Sequence, residues 1–158
     1  MTSPQINLHA TVIVAAGRGI LFTGPSGSGK SSLGFACLAE ASRAGRHAAL
    51  VADDQVFLQV VAGGVIATRP DSIAGLIELR GSGLVRIESQ RRCLVEVAVQ
   101  PVTSEAERLP AGGQRFRPGH GIDLPLLLLP RHAECPLSMI EAMLSGMQDV
   151  DQPESHQI

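Results

Sequence analysis

GPSGSGKS, residues 24–31, fits the phosphate-binding pattern G-x-x-x-x-G-K-[ST] and indicates how the surrounding chain folds. Its glycines let the backbone curl so that successive N–H groups point at an anion. Lys30, the only lysine among 158 residues, can reach the β- and γ-phosphates of a nucleotide, and the hydroxyl of Ser31 can ligate Mg²⁺. The nucleotide-binding segment predicted from this pattern consists of Gly24, Pro25, Ser26, Gly27, Ser28, Gly29, Lys30, Ser31 and Ser32.

The residues on either side of this octet supply the context that the pattern requires. Residues 19–23 are typical of a short buried strand. Residues 31–44 are typical of a helix, because Leu33, Cys37 and Ala41 recur at the i+4 spacing of one helix face. A strand, a loop and a helix in this order direct the positive end of the helix at bound phosphates. The alternative is a chance turn rich in Gly and Ser that happens to precede a helix.

Hydrophobic alternation predicts that the chain opens with strands. The apolar residues at 6, 8, 10, 12 and 14 alternate with the polar Asn7, His9 and Thr11, which indicates one half-buried strand over 6–14 with His9 on its polar face. Gly17-Arg18-Gly19 indicates a tight antiparallel hairpin into the strand at 19–23. Residues 48–52, which follow His47, are continuously apolar, and the run over 47–52 is typical of a strand buried on both faces.

The remaining patterns complete an α/β fold with a mixed sheet, predicted to be a single domain over residues 1–158. They predict a hairpin at 55–61 and 65–68, a short helix at 72–79, strands at 84–87, 93–99 and 124–129, a loop at 101–121 and a helix at 134–147. Residues 148–158 are polar and are predicted to form a flexible tail.

The composition argues against several classes of protein. The net charge is −2 and the chain has no Trp or Tyr, so neither a basic field nor stacking aromatics indicate nucleic-acid binding. The apolar run at 124–129 is far too short to span a bilayer. The cysteines at 37, 93 and 135 form no C-x-x-C pair and no signal peptide is visible. We therefore expect a cytoplasmic protein with reduced, packed cysteines.

Asp53 and Asp54 end the apolar run at 47–52. In open α/β sheets the carboxyl ends of the strands hold the ligand. An aspartate there can hold Mg²⁺ directly or through water, and a second carboxylate can act as a general base. The alternative is a turn at the end of the strand, in which an aspartate caps the next segment.

Glu78 and Arg80 interrupt an apolar stretch that leads into Gly81 and Gly83. Buried charges need partners, and glycines permit close approach of another backbone. One interpretation makes Glu78 a second metal ligand and Arg80 a stabiliser of phosphate charge. The other is a surface ion pair beside a turn.

Four segments in order resemble the catalytic domain of HPr kinase/phosphorylase, in the short, alphaproteobacterial-type form that lacks the N-terminal domain. They are LHATVIV at 8–14, GPSGSGKSS at 24–32, LVADDQV at 50–56 and GLIELRGSGLVRI at 75–87. The third and fourth segments are more specific than the phosphate-binding octet. The resemblance covers roughly residues 5–145.

The resemblance implies a P-loop fold like the nucleotide domain of phosphoenolpyruvate carboxykinase. It implies ATP- and Mg²⁺-dependent phosphorylation of a serine on an HPr-like phosphocarrier protein, and also phosphorolytic removal of that phosphoryl group, as part of carbon-metabolism control through the phosphotransferase system. It further implies a homo-oligomer, a hexamer in this family. The family's loop linked to dephosphorylation falls near residues 125–133.

The resemblance also implies roles for individual residues. They are Lys30 on the phosphates; Ser31, Glu78 and Asp53 on Mg²⁺; Asp54, beside Asp53, as the base that takes the serine proton; His9 near the phosphates; and Arg108 as a downstream active-site arginine. Taken without the family, His9 is interpreted as a surface histidine on a strand, and Arg108 as a surface arginine in a loop.

Two other functions fit the same residues. One is a P-loop kinase for another protein or for a small molecule. The other is a nucleotide-sensing regulatory module without catalysis, for which a sensor kinase is a candidate partner. The intact Asp53-Asp54 pair favours an enzyme over the regulatory module.

Overall fold

A computed structural model of the chain describes residues 3–103 and 113–150, and places them in a mixed sheet with two helices. The strands are β1 Gln5–Leu8, β2 Thr11–Ala15, β3 Arg18–Phe22, β4 Ala48–Ala52, β5 Val56–Val61, β6 Gly64–Thr68, β7 Leu76–Leu79, β8 Gly83–Arg86, β9 Arg92–Val102, β10 Arg115–Gly119 and β11 Ile122–Pro130. The helices are α1 Lys30–Arg43 and α2 Pro136–Val150, and a 3₁₀ turn covers Asp71–Ile73.

Nine of these strands form the main sheet. Seven follow the order β1-β5-β6-β9-β3-β2-β4, and β11 joins them by pairing with β9 while β10 pairs with β11. The hairpin β7-β8 forms a separate two-stranded sheet.

The direction of the strands brings several loops to one edge. β3 runs parallel to β9, and β9 runs parallel to β11. β2 is antiparallel to both β3 and β4, so β4 points the same way as β3. The carboxyl ends of β3, β4, β9 and β11 therefore lie along the same edge, where ligands bind in open α/β sheets.

Two apolar clusters cover the two faces of the main sheet. The first contains Ile13 of β2 and Leu33 of α1, together with the buried face of α2. The second contains Val12 of β2 and Leu58 of β5. Because side chains alternate along a strand, the neighbours Val12 and Ile13 point into different clusters, and both are fully buried.

The fold class predicted from the sequence, α/β with a mixed sheet and an N-terminal antiparallel hairpin, is confirmed. β2 and β3 pair antiparallel around Ala16 and Gly17. β4 is buried along nearly its whole length, as its apolar run predicts. The hairpin of β5 and β6, the strand β11 and the C-terminal helix also form where the sequence predicts them.

The single strand predicted over residues 6–14 is wrong. β1 ends at Leu8 and pairs with β5, whereas β2 begins at Thr11 and pairs with β3 and β4. The two strands pair with different partners, so the extended segment is interrupted at His9 and Ala10. β2 is buried on both faces, and Thr11 is fully buried rather than on a polar face.

The helix predicted at 72–79 is also wrong. The segment forms only a 3₁₀ turn and then the strand β7. Gly75, between them, has φ +73° and is too close to the carbonyl of Ile87 to accept a side chain without a shift. A positive φ of this kind ends a helix.

The loop predicted at 101–121 is shorter than expected, because β9 continues to Val102 and β10 occupies Arg115–Gly119. Residues 104–112 lie outside the described part of the chain. Of the tail predicted at 148–158, α2 includes residues 148–150, and residues 151–158 lie outside the described part. Neither helix in the described residues has the length and apolarity that crossing a bilayer requires.

Candidate active site

The predicted phosphate loop connects the buried strand β3 to α1. Three of its glycines have positive φ, namely Gly24 at +136°, Gly27 at +80° and Gly29 at +105°. Such angles are open to glycine at little cost and let the backbone curl. Gly29 precedes the first residue of α1, and no side chain caps this end of the helix. The first N–H groups of α1 therefore remain available for an anion.

Lys30 is largely buried beneath this loop, with 7% of its surface exposed. Its Nζ donates to the carbonyl oxygens of Gly24 at 2.8 Å and Pro25 at 3.0 Å. Burial lowers the pKa of the ammonium, and the negative charges of Asp54 and Asp53 act in the opposite direction. These contacts hold the ammonium inside the curl of the loop.

The carboxylate of Asp53 is the centre of a hydrogen-bond network, and the residue is only 7% exposed. Its Oδ1 accepts from Ser31 Oγ at 2.7 Å and from Thr11 Oγ1 at 2.8 Å. Its Oδ2 accepts from the backbone N–H of Glu78 at 3.0 Å. Three donors on one carboxylate fix its orientation.

Asp54 has a very different environment, although it is the next residue. Its side chain is 77% exposed and its φ is +79°. His9 Nε2 lies 2.8 Å from Asp54 Oδ1, and His9 Nδ1 lies 3.1 Å from the backbone oxygen of Asp54. Both partners of the ring are acceptors, so both hydrogen bonds form together only when the imidazole carries two protons. The histidine thus binds the side chain and the backbone of the same aspartate.

These groups line one open cleft of about 240 Å³. Arg80, which directly follows β7, faces the loop: a Cβ on Gly27 would lie 3.6 Å from Arg80 Nη2. The residues that line the cleft are His9, Thr11, Ser26, Gly27, Gly29, Lys30, Ser31, Ser32, Asp53, Asp54, Glu78 and Arg80.

The donor set of this cleft fits a magnesium ion that is bound together with phosphates. Ser31 Oγ gives its only proton to Asp53, so its lone pairs remain available to a cation. Within residues 3–103 and 113–150, no cluster of three or more His, Cys, Asp or Glu could hold a metal by itself. Mg²⁺ in phosphoryl-transfer sites typically uses one or two carboxylates and completes its shell with phosphate and water, so such a cluster is not required.

The structure brings most of the predicted site residues together, and their roles stay predictions. His9, Lys30, Ser31, Glu78 and the aspartate pair all line the cleft. Gly24 and Pro25 hold the lysine through their carbonyls. Arg108 lies outside the described residues.

Sequence reasoning missed one residue near the loop, Thr11, and included a second, Arg131, only as part of the segment at 125–133. Thr11 lines the cleft and binds Asp53, and the available signal was a hydroxyl within an otherwise apolar strand. Arg131, which follows β11, lies against the loop, because a Cβ on Gly29 would be 3.3 Å from its Cβ. Only the strand order shows that β11 ends beside the phosphate loop.

Comparison with known proteins gives a consistent family. The family model described as HPr Serine kinase C-terminal domain matches residues 1–101, and the chain therefore belongs to that family. The chain is similar to the HPr kinase/phosphorylase of Clostridium tetani, with 34% identity over 87 residues, covering 55% of this chain and 27% of that protein. It is also similar to the HPr kinase/phosphorylase of Xanthomonas campestris pv. campestris, with 28% identity over 142 residues, covering 81% of this chain and 43% of that protein.

The chain thus spans less than half the length of these curated relatives. Among solved structures, the Hpr(Ser) kinase/phosphatase from Coxiella burnetii superposes with a TM-score of 0.69 at 24% identity. The match covers 89% of this chain and 95% of that chain. It shows that the two chains share a fold.

Proposed function

We propose that this member of the HPr Serine kinase C-terminal domain family is an ATP- and Mg²⁺-dependent kinase that phosphorylates a serine of an HPr-like phosphocarrier protein. The observation that carries the proposal is the contrast in burial and hydrogen bonding between the adjacent Asp53 and Asp54. One carboxylate is buried and saturated with donors, and the other is exposed and held by a histidine at the mouth of the same cleft.

The phosphate loop would bind the nucleotide. The backbone N–H groups around its glycines and at the start of α1 would donate to the phosphate oxygens. The ammonium of Lys30 would exchange its carbonyl partners for the β- and γ-phosphates. The attraction between this ammonium and the phosphates would be stronger here than in water, because the lysine is largely buried.

Ser31, Asp53 and Glu78 are the residues that would hold Mg²⁺. The ion, when bound, neutralises charge on the phosphates during transfer. The serine would ligate through its free lone pairs, while Asp53 keeps the serine hydroxyl oriented by accepting its proton. Glu78 offers an exposed side chain from the neighbouring hairpin, and its backbone is fixed by Asp53.

Asp54 would act as the general base. Its carboxylate would accept the proton of the incoming serine hydroxyl while the serine oxygen bonds to the γ-phosphorus and the bond to ADP breaks. His9 would hold the carboxylate and the backbone of Asp54 in place for this step. Because Asp54 is exposed, a serine on another protein could reach it.

Two arginines complete the proposal. Arg80 approaches the loop at Gly27 and would stabilise charge on the transferring phosphoryl group. Arg108 would play a similar part from the segment that follows β9, whose carboxyl end lies on the same edge of the sheet as the phosphate loop.

The same groups support the reverse, phosphorolytic reaction as a second part of the proposal. An oxygen of inorganic phosphate would attack the phosphorus of phosphoserine, forming pyrophosphate. The serine oxygen would leave and take back a proton from the protonated carboxyl of Asp54. This step uses the residues of the forward reaction in the opposite order.

The test is to incubate the protein with Mg²⁺, γ-labelled ATP and the HPr-like carrier from the same genome. Label on a carrier serine, absent from a carrier in which that serine is replaced by alanine, would support the kinase. Addition of inorganic phosphate to the labelled carrier should then release label as pyrophosphate.

A carrier that stays unlabelled while the protein binds ATP would contradict the proposed acceptor. Labelling of a different protein or of a small molecule would identify another P-loop kinase. Nucleotide binding without transfer to any acceptor would identify a regulatory module.

A further inference from the structure

Thr11 is a buried polar residue at the start of β2, and its side chain has two separate contacts. Its exposed fraction is 0%, and it is the one polar residue in the otherwise apolar strand β2. A hydroxyl buried without a partner destabilises a protein, so the partner of this one is informative. The hydroxyl donates to Oδ1 of Asp53 at 2.8 Å, forty-two residues further along the chain.

The methyl group of Thr11 makes the second contact. It packs against α1 at Gly34, where an added Cβ would lie only 3.2 Å from Thr11 Cγ2. Gly34 thereby lets the helix approach the sheet closely. The two contacts use different atoms of one side chain, so substitutions can separate them.

We propose that Thr11 is a positioning residue that aims the carboxylate of Asp53 at Ser31. Oδ1 of Asp53 accepts from both hydroxyls, and Thr11 is fixed by the strand and the helix around it. The bond from Thr11 therefore limits rotation of the carboxylate and keeps Oδ1 directed at Ser31 Oγ. Ser31 in turn keeps its lone pairs free for the cation.

This inference rests on the proposed function, because it assigns Thr11 to the Mg²⁺–nucleotide site of that proposal. It concerns binding rather than turnover, and binding can be measured in the absence of any acceptor. Removal of the hydroxyl should raise the Mg²⁺ concentration that nucleotide binding requires. Removal of the methyl group alone should not.

Thr11→Val keeps the shape and removes the hydroxyl, whereas Thr11→Ser keeps the hydroxyl and removes the methyl group. Thr68→Val on β6 is the matched control for loss of a threonine hydroxyl elsewhere. Each variant would be titrated with Mg²⁺ at fixed fluorescent ATP analogue, and its thermal midpoint measured. We expect T11V to need about tenfold more Mg²⁺ for half-maximal binding, the equivalent of about 1.4 kcal/mol.

T11S and T68V should match the wild type in Mg²⁺ requirement, and T11S should lower the thermal midpoint by loss of the contact with Gly34. An unchanged Mg²⁺ requirement in T11V would overturn the proposal. An equal increase in T11S and T11V would assign the effect to packing and overturn it as well. If T11V does not fold, the pair T11S and T11A isolates the hydroxyl in the same way, and equal Mg²⁺ requirements in that pair would overturn the proposal.

Carrier phosphorylation by the wild type, assayed in parallel, separates this inference from the proposed function. A wild type that binds the Mg²⁺–nucleotide but labels no carrier refutes the acceptor and leaves the comparison of Thr11 variants intact. A wild type that labels the carrier, with an unchanged T11V, refutes the role of Thr11 alone. A wild type that binds no nucleotide refutes both.

Discussion

The two adjacent aspartates show how strongly the surroundings of a side chain determine what it can do. Asp53 has three donors and little exposure, so it is suited to hold and orient other groups. Asp54 has one ring partner at its carboxylate and faces solvent, so it can meet an incoming hydroxyl. The backbone of Asp54 has a positive φ of +79°, so the chain bends directly after the buried Asp53.

Asp54→Asn should abolish transfer while nucleotide binding persists. The amide is nearly the same shape but cannot accept the serine proton, and loss of a general base typically slows a reaction by about 10²–10⁴-fold. Labelling of the carrier and calorimetric titration with ATP would measure the two properties. Asp71→Asn, at the exposed start of the 3₁₀ turn, is the matched control. Turnover near that of the wild type in Asp54→Asn would remove Asp54 from the proposed mechanism.

Lys30→Ala should weaken nucleotide binding and transfer together. The variant removes a largely buried charge that would bind phosphates, and a charge-assisted hydrogen bond contributes about 1.5–3 kcal/mol, equivalent to about 10–100-fold in affinity. Lys30→Arg tests whether charge alone suffices, because the planar guanidinium cannot replace a compact ammonium beneath the loop. Unchanged ATP affinity in the alanine variant would argue against the phosphate role of Lys30.

The three cysteines should differ in reactivity. Burial, followed by the charge of Glu40, raises the pKa of Cys37 to about 12, and burial, followed by Glu96, raises the pKa of Cys93 to about 12. Cys135 is exposed. A thiol-reactive dye at mildly alkaline pH should label one cysteine rapidly in the native protein and all three after denaturation. Rapid labelling of two or three native thiols would contradict this assignment.

The same shifts predict how stability depends on pH. The folded protein holds the thiol protons of Cys37 and Cys93 more tightly than the unfolded chain, where the pKa is near the ordinary 9.0. The stabilisation is therefore present in full below about pH 9 and is lost as the pH rises towards 12. The free energy of unfolding, measured by urea titration, should decrease across this window.

At the scale of elements, two glycines predict opposite outcomes for the same substitution. Gly19 lies where the register between β3 and β9 shifts, and an added Cβ would overlap the carbonyl of Leu94. Gly19→Ala should destabilise the protein by about 3 kcal/mol, because backbone cannot move aside cheaply. Gly146→Ala, within α2 and with nothing near its Cβ position, should stabilise it by about 0.5 kcal/mol. Chemical denaturation measures both, and equal effects would refute the close approach at Gly19.

The elements that the sequence predicts well are those specified locally. The phosphate loop and α1 follow from one octet and the helix spacing that comes after it, and β4 follows from its apolar run. The break between β1 and β2 could not be predicted, because it depends on pairing with β5 on one side and with β3 and β4 on the other. The strand β7 is wrongly predicted as a helix, because the sequence does not show that Gly75 has a positive φ and lies against the distant Ile87.

The residues of the candidate site likewise divide into those that local sequence patterns predict and those that depend on distant pairing. Its chemically obvious residues, the lysine and the aspartate pair, are adjacent to recognisable motifs. Thr11 was missed, and Arg131 was not placed beside the phosphate loop, because the meeting of these strands at one edge of the sheet depends on pairing between distant segments. A buried threonine in an apolar strand is a signal that some polar partner exists, but the sequence does not say which one.

At the scale of the whole molecule, the main sheet lies between the two apolar clusters and contributes side chains to both. Strands β2 and β3 each contribute to both apolar clusters, as Ile13 and Val12 of β2 and Ile20 and Leu21 of β3 show. A sheet shared in this way cannot lose one cluster without exposing the other. We therefore propose that the described residues, 3–103 and 113–150, unfold as a single domain in one cooperative transition.

Leu33→Ala and Leu58→Ala test this unity from opposite faces of the sheet. Leu33 belongs to the first cluster and Leu58 to the second, and both are almost completely buried. Each substitution should lower the free energy of unfolding by about 2–5 kcal/mol, because it leaves a cavity. In a single domain, both variants shift one common calorimetric transition and leave its two-state shape unchanged. Two transitions, of which each variant moves only one, would show that the faces unfold separately and that the chain contains more than one domain.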